Sequence, residues 1–379
     1  MANVDKSHLD ELVRRSFLEK VESEEGSYKM HDILHDLSQY LAGYEYCVDV
    51  ESDVRLKPEK TRHVLCISNS KSEVEGPLLQ LKRLRTFFWP RAFEKRNKLF
   101  VDALTTNFRL LRVLVLEHLI VEVPSSIGNL KHLRFLSLRY YRCTRLPSSF
   151  GGLLNLQFLD LEYSRLRAWP EGFEKILSLR YLWLSSPSLV GILGNCTSLR
   201  TLCIKGCRRL DVLPSTLNHL TALEHLEIDD CGKLLIGEKD FQGLKSLKSL
   251  TLCKLTNWMS FPPEGLQHAA TTLNHITIER CHHLDINCNF TALASLKMLH
   301  ISMCPRIWSL PEGMHRLTAL HSLKVYDCDG LNFNFGCGED NEWRKIARVA
   351  EFVIKKVLSP FSFPSFCYIP PTPFSTCNE

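Results

Sequence analysis

The chain has 379 residues, of which 45% are hydrophobic and 23% charged, with a formal net charge of +5. This balance excludes wholesale disorder, and its lysines and arginines alternate with acids instead of forming the long basic run of a nucleic-acid surface. The opening "MANVDKSHLDELVRR" has no apolar core of a secretory signal, and no apolar run reaches the length of about eighteen residues that would suggest a membrane-spanning helix.

From the N-terminus, "SHLDELVRRSFLEKV" reads as a helix with Ser7 and Asp10 as a capping box and Leu9, Leu12, Val13 and Phe17 on one face. The turn "ESEEGS" leads through "YKM" into "HDILHDLSQYLA". Over residues 31–42 this spacing predicts a second helix with Met30, Ile33, Leu34, Leu37 and Leu41 on one face. His31 and His35 stand four apart on its flank, a spacing that suits a shared metal ion. A working site needs a third ligand and a nearby general base, and no glutamate follows His31, so neither a metal centre nor a catalytic site is expected. The helix carries aspartates and no lysine or arginine, which opposes contact with a phosphate backbone.

Most of the remaining chain repeats. The pattern L-x-x-[LI]-x-[LIV] begins at Leu111, Leu133, Leu156, Leu179, Leu199, Leu223, Leu247, Leu273, Leu296 and Leu320. The interval of 20 to 26 residues lies within the leucine-rich-repeat range. "RHVLCI" and "LRTFFW" read as earlier, degenerate copies. The expected fold is α/β: a leucine-rich-repeat solenoid with parallel strands on its concave face, preceded by a small helical segment. Alternation puts Leu136, Leu138, Leu159, Leu161, Leu226 and Ile228 inside. Proline at Pro124, Pro147 and Pro170 ends the strand and starts the convex segment, after which Ile127, Phe150 and Phe173 return to the core.

On the outward side of successive strands, Phe135, Phe158 and Tyr181 occupy equivalent places and should stack about 4.8 Å apart. Trp183 stands beside them, with Arg139 and Glu162 flanking. Aromatic and arginine side chains dominate interface energies, so these six residues are the expected partner-binding surface. Farther along, the outward places turn polar, with His225, Glu227, Asp229, Thr277, Glu279, His300 and Lys324.

The fifteen cysteines are explained by the repeat. Cys207, Cys231, Cys281, Cys304 and Cys328 each fall eight residues after the first leucine of their copy, where a small buried side chain suits the end of a strand. No C-x-x-C pair supports a metal site, and an odd cysteine count without an export signal points to a reducing compartment, cytoplasm or nucleus. Trp343, Ile346, Val349, Val353 and Val357 have near-helical spacing, which predicts an amphipathic helix over 341–358 closing the solenoid. Residues 359–379, rich in proline, phenylalanine and serine, are expected to be a disordered tail. The predicted organisation is thus 1–58, helical; 59–338, solenoid; 339–358, cap; 359–379, tail.

The segments "LDELVRRSFLEK" (9–20), "YKMHDILHDLSQYLA" (28–42), "KTRHVLCI" (60–67), the cysteine-type repeats and "CGEDNEWRKIARV" (337–349) together resemble the plant nucleotide-binding leucine-rich-repeat disease-resistance receptors of the coiled-coil class. The resemblance implies that residues 1–58 are the end of a winged-helix subdomain. Met30, His31 and Asp32 then match the family's Met-His-Asp motif, whose histidine contacts the β-phosphate of bound ADP. It further implies a sensor role in defence, with a pathogen effector, a host protein under surveillance or a full-length receptor as the protein partner. The family's phosphate-binding G-x-x-x-x-G-K-[ST] is missing: the Gly232-Lys233 pair is not followed by serine or threonine. ADP or ATP is therefore expected only in a longer relative, and this chain alone is expected to hold no cofactor. Competing readings are a leucine-rich-repeat substrate receptor of a ubiquitin ligase, which would need an F-box in place of residues 1–45, and a truncated receptor remnant without function.

Overall fold

Leucine columns account for the architecture. In the computed structural model each repeat contributes one short strand, and the first-position leucines Leu111, Leu133, Leu156, Leu199, Leu223, Leu247, Leu273 and Leu296 are buried without remainder. The structure describes residues 12–15, 17–20, 28–30, 32–48, 57–66, 78–89, 98–190, 193–331, 346 and 349–355. Two compact units, Met1–Leu199 and Arg200–Glu379, divide it.

The first unit opens with a two-stranded antiparallel hairpin, β1 (Leu18–Lys20) and β2 (Tyr28–Met30), in which Leu18 faces Met30. The helix expected across "SHLDELVRRSFLEKV" therefore stops short. Residues 12–14 are helical, but Leu18–Lys20 pair with β2, because a partner strand satisfies backbone groups that the side-chain period cannot foresee. Helix α1 (Asp32–Ala42) follows as expected. On its apolar face Leu34 is half-buried, while Leu37 and Leu41 are 48% and 74% exposed. His31 lies outside the described residues.

Seven parallel strands then stack in chain order: β3 (Tyr46–Val48), β4 (His63–Leu65), β5 (Thr86–Trp89), β6 (Val113–Leu116), β7 (Phe135–Ser137), β8 (Phe158–Leu161) and β9 (Tyr181–Leu184). Strands β4 and β5 are the two degenerate copies. Strand β3 carries the sheet into the segment assigned to the winged helix, since Cys47 is buried and pairs with Val64. Helix α2 (Lys98–Asn107) buries Phe100, Val101 and Leu104, and Phe100 meets Trp89 edge-on at 5.6 Å.

After each proline comes a tight 3-10 turn, Ser125–Asn129 behind Pro124 and Ser148–Gly152 behind Pro147, with proline φ values of −74° and −69°. Ile127, Phe150 and Phe173 are buried as expected; each such side chain contributes about 1.5–3 kcal/mol. Successive turns touch through glycine. A Cβ on Gly128 would stand 2.4 Å from the Ser149 carbonyl oxygen.

The second unit also has seven parallel strands: β10 (Thr201–Lys205), β11 (His225–Asp229), β12 (Ser249–Cys253), β13 (His275–Glu279), β14 (Met298–Ser302), β15 (Ser322–Tyr326) and β16 (Glu351–Lys355). Strand β16 corrects the expected helix over 341–358 at Glu351–Lys355, while Ile346 is helical. Phe352 pairs with Leu323 and Ile354 with Val325, so both continue core columns already formed by β14 and β15. The four-residue spacing of Val349, Val353 and Val357 imitates a helix, but β-branched residues suit a strand once a partner edge exists. Residues 341–345, 347–348 and 356–379 lie outside the described residues.

The cysteine ladder is structural. Cys207, Cys231, Cys281 and Cys304 are fully buried, and none of the twelve described cysteines is in a disulfide. Their thiols turn back to strand carbonyls, Cys304 donating to Ser302 at 3.2 Å and Cys328 to Tyr326 at 3.4 Å.

Candidate recognition surface

The outward side of β7, β8 and β9 brings together the six residues read from the sequence. Parallel register places Phe135 opposite Phe158 and Phe158 opposite Tyr181. The Phe135 and Phe158 rings stack at 4.3 Å and 10°, and Phe158 and Tyr181 at 5.9 Å and 28°. Trp183 meets Phe158 edge-on at 5.0 Å and 72°. Only Phe158, held between its neighbours, is buried, at 8% exposure; Phe135, Tyr181 and Trp183 stay half-exposed.

Beside the rings lies a compact ion network. Arg139 pairs through its Nη2 with Glu162, and its Nε stands 3.6 Å from Asp160 Oδ2, close enough to attract but too far to hydrogen-bond. Asp160 accepts from the Ser137 hydroxyl at 3.2 Å and from the Glu162 backbone N–H at 2.9 Å. Asp160 and Glu162 are almost completely buried, at 3% and 1% exposure. Burial raises the Asp160 carboxyl to about 6 against the pull of the Glu162 N–H and Arg139. Burial also raises Glu117, on the next strand, while Arg139 draws it down. For Arg139 burial works against the charged form, yet Glu162 and Asp160 hold it above its ordinary value. Arg139 thus neutralises a carboxylate cluster, so its first task here is structural.

Two features escape the strand alternation. Asp160 is the hub of the network, although the sequence offers it only as one outward residue of "LQFLDL". A second aromatic tier, His118, Tyr140 and Tyr163, stacks at 4.3 and 5.0 Å just past the strand ends. These three have φ of 58°, 57° and 55°, and all eight non-glycine residues of positive φ among the described residues stand seven after the first leucine of a repeat. Gly206, in the same place with φ of 66°, is the trace this leaves in the sequence, since glycine adopts that conformation freely. Burial lowers the His118 pKa, and Arg142 and Arg139 lower it further.

Comparisons with known proteins agree with this geometry. A model described as a leucine-rich repeat region matches residues 83–229, and one described as the disease resistance protein winged helix domain matches residues 1–38. The chain thus carries, in order, a stretch similar to a disease-resistance winged helix and a stretch similar to leucine-rich repeats. Disease resistance protein RPP5 of Arabidopsis thaliana is 34% identical over 214 residues, 56% of this chain and 14% of that protein. Putative disease resistance protein At3g14460 of the same plant is 27% identical over 150 residues, 36% of this chain and 10% of that protein. The chain thus spans about a tenth to a seventh of the length of these relatives. Among solved structures, an internalin of Listeria monocytogenes is similar with TM-score 0.53 and 16% identity, covering 88% of this chain and 86% of that one. Toll, in its complex with Spatzle from Drosophila, has TM-score 0.55 and 15% identity, covering 79% of this chain and 40% of that one. At these identities the likeness shows the solenoid fold. The stretch matched by the winged-helix model, residues 1–38, is the one an F-box would need. Neither matched region is a catalytic domain. No helix among the described residues is long and apolar enough to cross a membrane.

Proposed function

We propose that this chain acts as the protein-recognition region of an intracellular plant immune receptor, in cytoplasm or nucleus, binding a pathogen effector, a monitored host protein or a full-length receptor. The observation that carries the reading is the Phe135–Phe158–Tyr181 stack with Trp183 against it, a row of half-exposed aromatic rings on a rigid parallel sheet. Rigid aromatic surface beside a fixed arginine is the composition that concentrates binding energy. The matched winged helix and repeats, and the resistance-protein relatives, support the setting in defence.

His31 is the position that inherits the nucleotide contact of the Met-His-Asp motif. The rest of the chain does not fit ADP: a phosphate cradle of backbone amides and lysine has no counterpart in the sequence. One imidazole cannot supply that affinity, so no nucleotide step is assigned to this chain.

The test is a two-hybrid screen of secreted pathogen proteins and host proteins, repeated with F135A/W183A and with L177A, an exposed leucine outside the sheet. Interactors should be lost with the first variant and kept with the second. Interactors that survive F135A/W183A move recognition elsewhere.

A further inference from the structure

Along the second unit, past the strands and the buried cysteines, runs a row of exposed apolar side chains. Leu235, Met259, Asp285 and Trp308 each stand twelve residues after the first leucine of their repeat, and Val212 bridges Leu235 from the repeat before. A narrow ladder fixes their backbone. The Leu235 N–H donates to the Asp211 carbonyl at 2.9 Å, and the Asp285 N–H to the Met259 carbonyl at 2.8 Å. Alternation along this ladder turns Leu234 and Ile236 into the core and Leu235 outward. Val212, Leu235, Met259 and Trp308 are 60%, 54%, 68% and 66% exposed.

Single exposed apolar residues are ordinary, but a row of them along one ridge marks a contact surface. The fold does not demand them, because Asp285 fills the same place and is also exposed. Beside the row, ten residues after each first leucine, stand Arg209, Lys233, Asn257, His283 and Arg306, all exposed. The ion pairs among this unit's described residues involve none of Arg209, Lys233 and Arg306. The two carboxylates on the ridge are instead each held by a backbone N–H. Asp211 accepts from Val212 at 3.0 Å and Asp285 from Asn287 at 2.9 Å. Apolar knobs and available cations therefore run side by side on a rigid backbone.

We propose that this ridge docks on an anionic lipid bilayer surface. Val212, Leu235 and Met259 enter the boundary between headgroups and acyl chains. Trp308, an apolar ring with a polar N–H, suits the same depth. Arg209, Lys233 and Arg306 lay their stems along the apolar row and bring their charges to the lipid phosphates. A folded protein partner fits less well. It would need a separate pocket for each knob, with the carboxylate of Asp285 between Met259 and Trp308, whereas a fluid bilayer admits separated side chains without matching pockets. The ridge lies on other elements than the aromatic face of β7, β8 and β9 and does not depend on it.

The experiment is flotation of the chain, at low ionic strength, with vesicles of phosphatidylcholine alone and of phosphatidylcholine with phosphatidylserine. The chain should float with the phosphatidylserine vesicles and stay behind with the neutral ones. R209Q/K233Q/R306Q and L235S/M259S should each weaken binding by about tenfold or more. R83Q/R142Q/R145Q, which removes as many exposed cations from the first unit, should leave it unchanged. Lipids brominated on their chains should quench tryptophan fluorescence in the parent and not in W308F. Thermal melts of all variants should match the parent, since every replaced side chain is exposed. The proposal is overturned if phosphatidylserine vesicles do not bind, if neutral vesicles bind equally, or if R209Q/K233Q/R306Q binds as the parent does. It is also overturned if vesicles fail while L235S/M259S loses a two-hybrid interactor, which would give the ridge to a protein partner.

Discussion

Arg139 and Glu162 stand just past the ends of the adjacent strands β7 and β8 and form an ion pair whose carboxylate is almost completely buried, with Asp160 beside them. One guanidinium compensates two carboxylates, so the network depends on that single cation. Replacing Arg139 by alanine should lower stability by about 3 kcal/mol, because it strands buried charge. The double variant R139M/E162L should recover most of the loss. Urea denaturation of the three proteins measures this; equal midpoints for parent and R139A would show the network to be energetically idle.

Asp160 makes the fold pH-dependent. Burial raises its carboxyl from the ordinary 3.8 to about 6. Between these values the folded state holds a proton that the unfolded chain has released, so stability falls as pH rises through that window. The full effect is of order 3 kcal/mol, and Glu117, also raised by burial, adds in the same direction. Stability measured from pH 4 to pH 7 should decline in the parent and decline less in D160N. A parent profile that rises across this range contradicts the assignment.

Trp183 and Phe158 separate binding from folding. Trp183 is half-exposed and meets only the edge of Phe158, so W183A should change stability by less than about 1 kcal/mol. Phe158 is the enclosed ring of the stack, and F158A should cost about 2–3 kcal/mol. Thermal melts will show whether the two variants differ in that order.

The left-handed position of each repeat resists β-branched residues. Asp230, with φ of 52°, is half-exposed and meets the exposed Arg208 at 3.2 Å, a surface pair of small energy, so its replacement by asparagine should be almost silent. Valine there should cost about 1–2 kcal/mol from backbone strain alone. The comparison isolates conformation from charge.

Buried thiols should be inert. Burial pushes Cys196 up to about 11 and, with neighbouring carboxylates, Cys253 up to about 12. A disulfide reagent at pH 8 should modify neither in the folded chain, since the thiolate is the nucleophile, and both after unfolding. Mass mapping of labelled peptides reads the result directly.

The repeat was legible because leucine periodicity is a local signal that recurs: Leu136, Leu159 and Leu226 lie in the core where alternation places them. Alternation also located Phe135, Phe158 and Tyr181, since period two fixes which side of a strand a residue faces. It could not reveal that Asp160 would be buried as a hub, because that depends on Ser137 and Arg139 from the neighbouring repeat. The His118–Tyr140–Tyr163 tier was hidden for another reason: its side chains follow a left-handed backbone, where neither helical nor strand periodicity applies. Strand β16 imitated a helix until β15 supplied an edge.

The central claim is that the outward face of β7, β8 and β9 recognises another protein. Hydrogen–deuterium exchange of the chain with and without a captured partner tests it most directly. Protection should centre on Phe135–Arg139, Phe158–Glu162 and Tyr181–Leu184. Protection confined to the turns behind Pro124 and Pro147, with these strands unchanged, would contradict it.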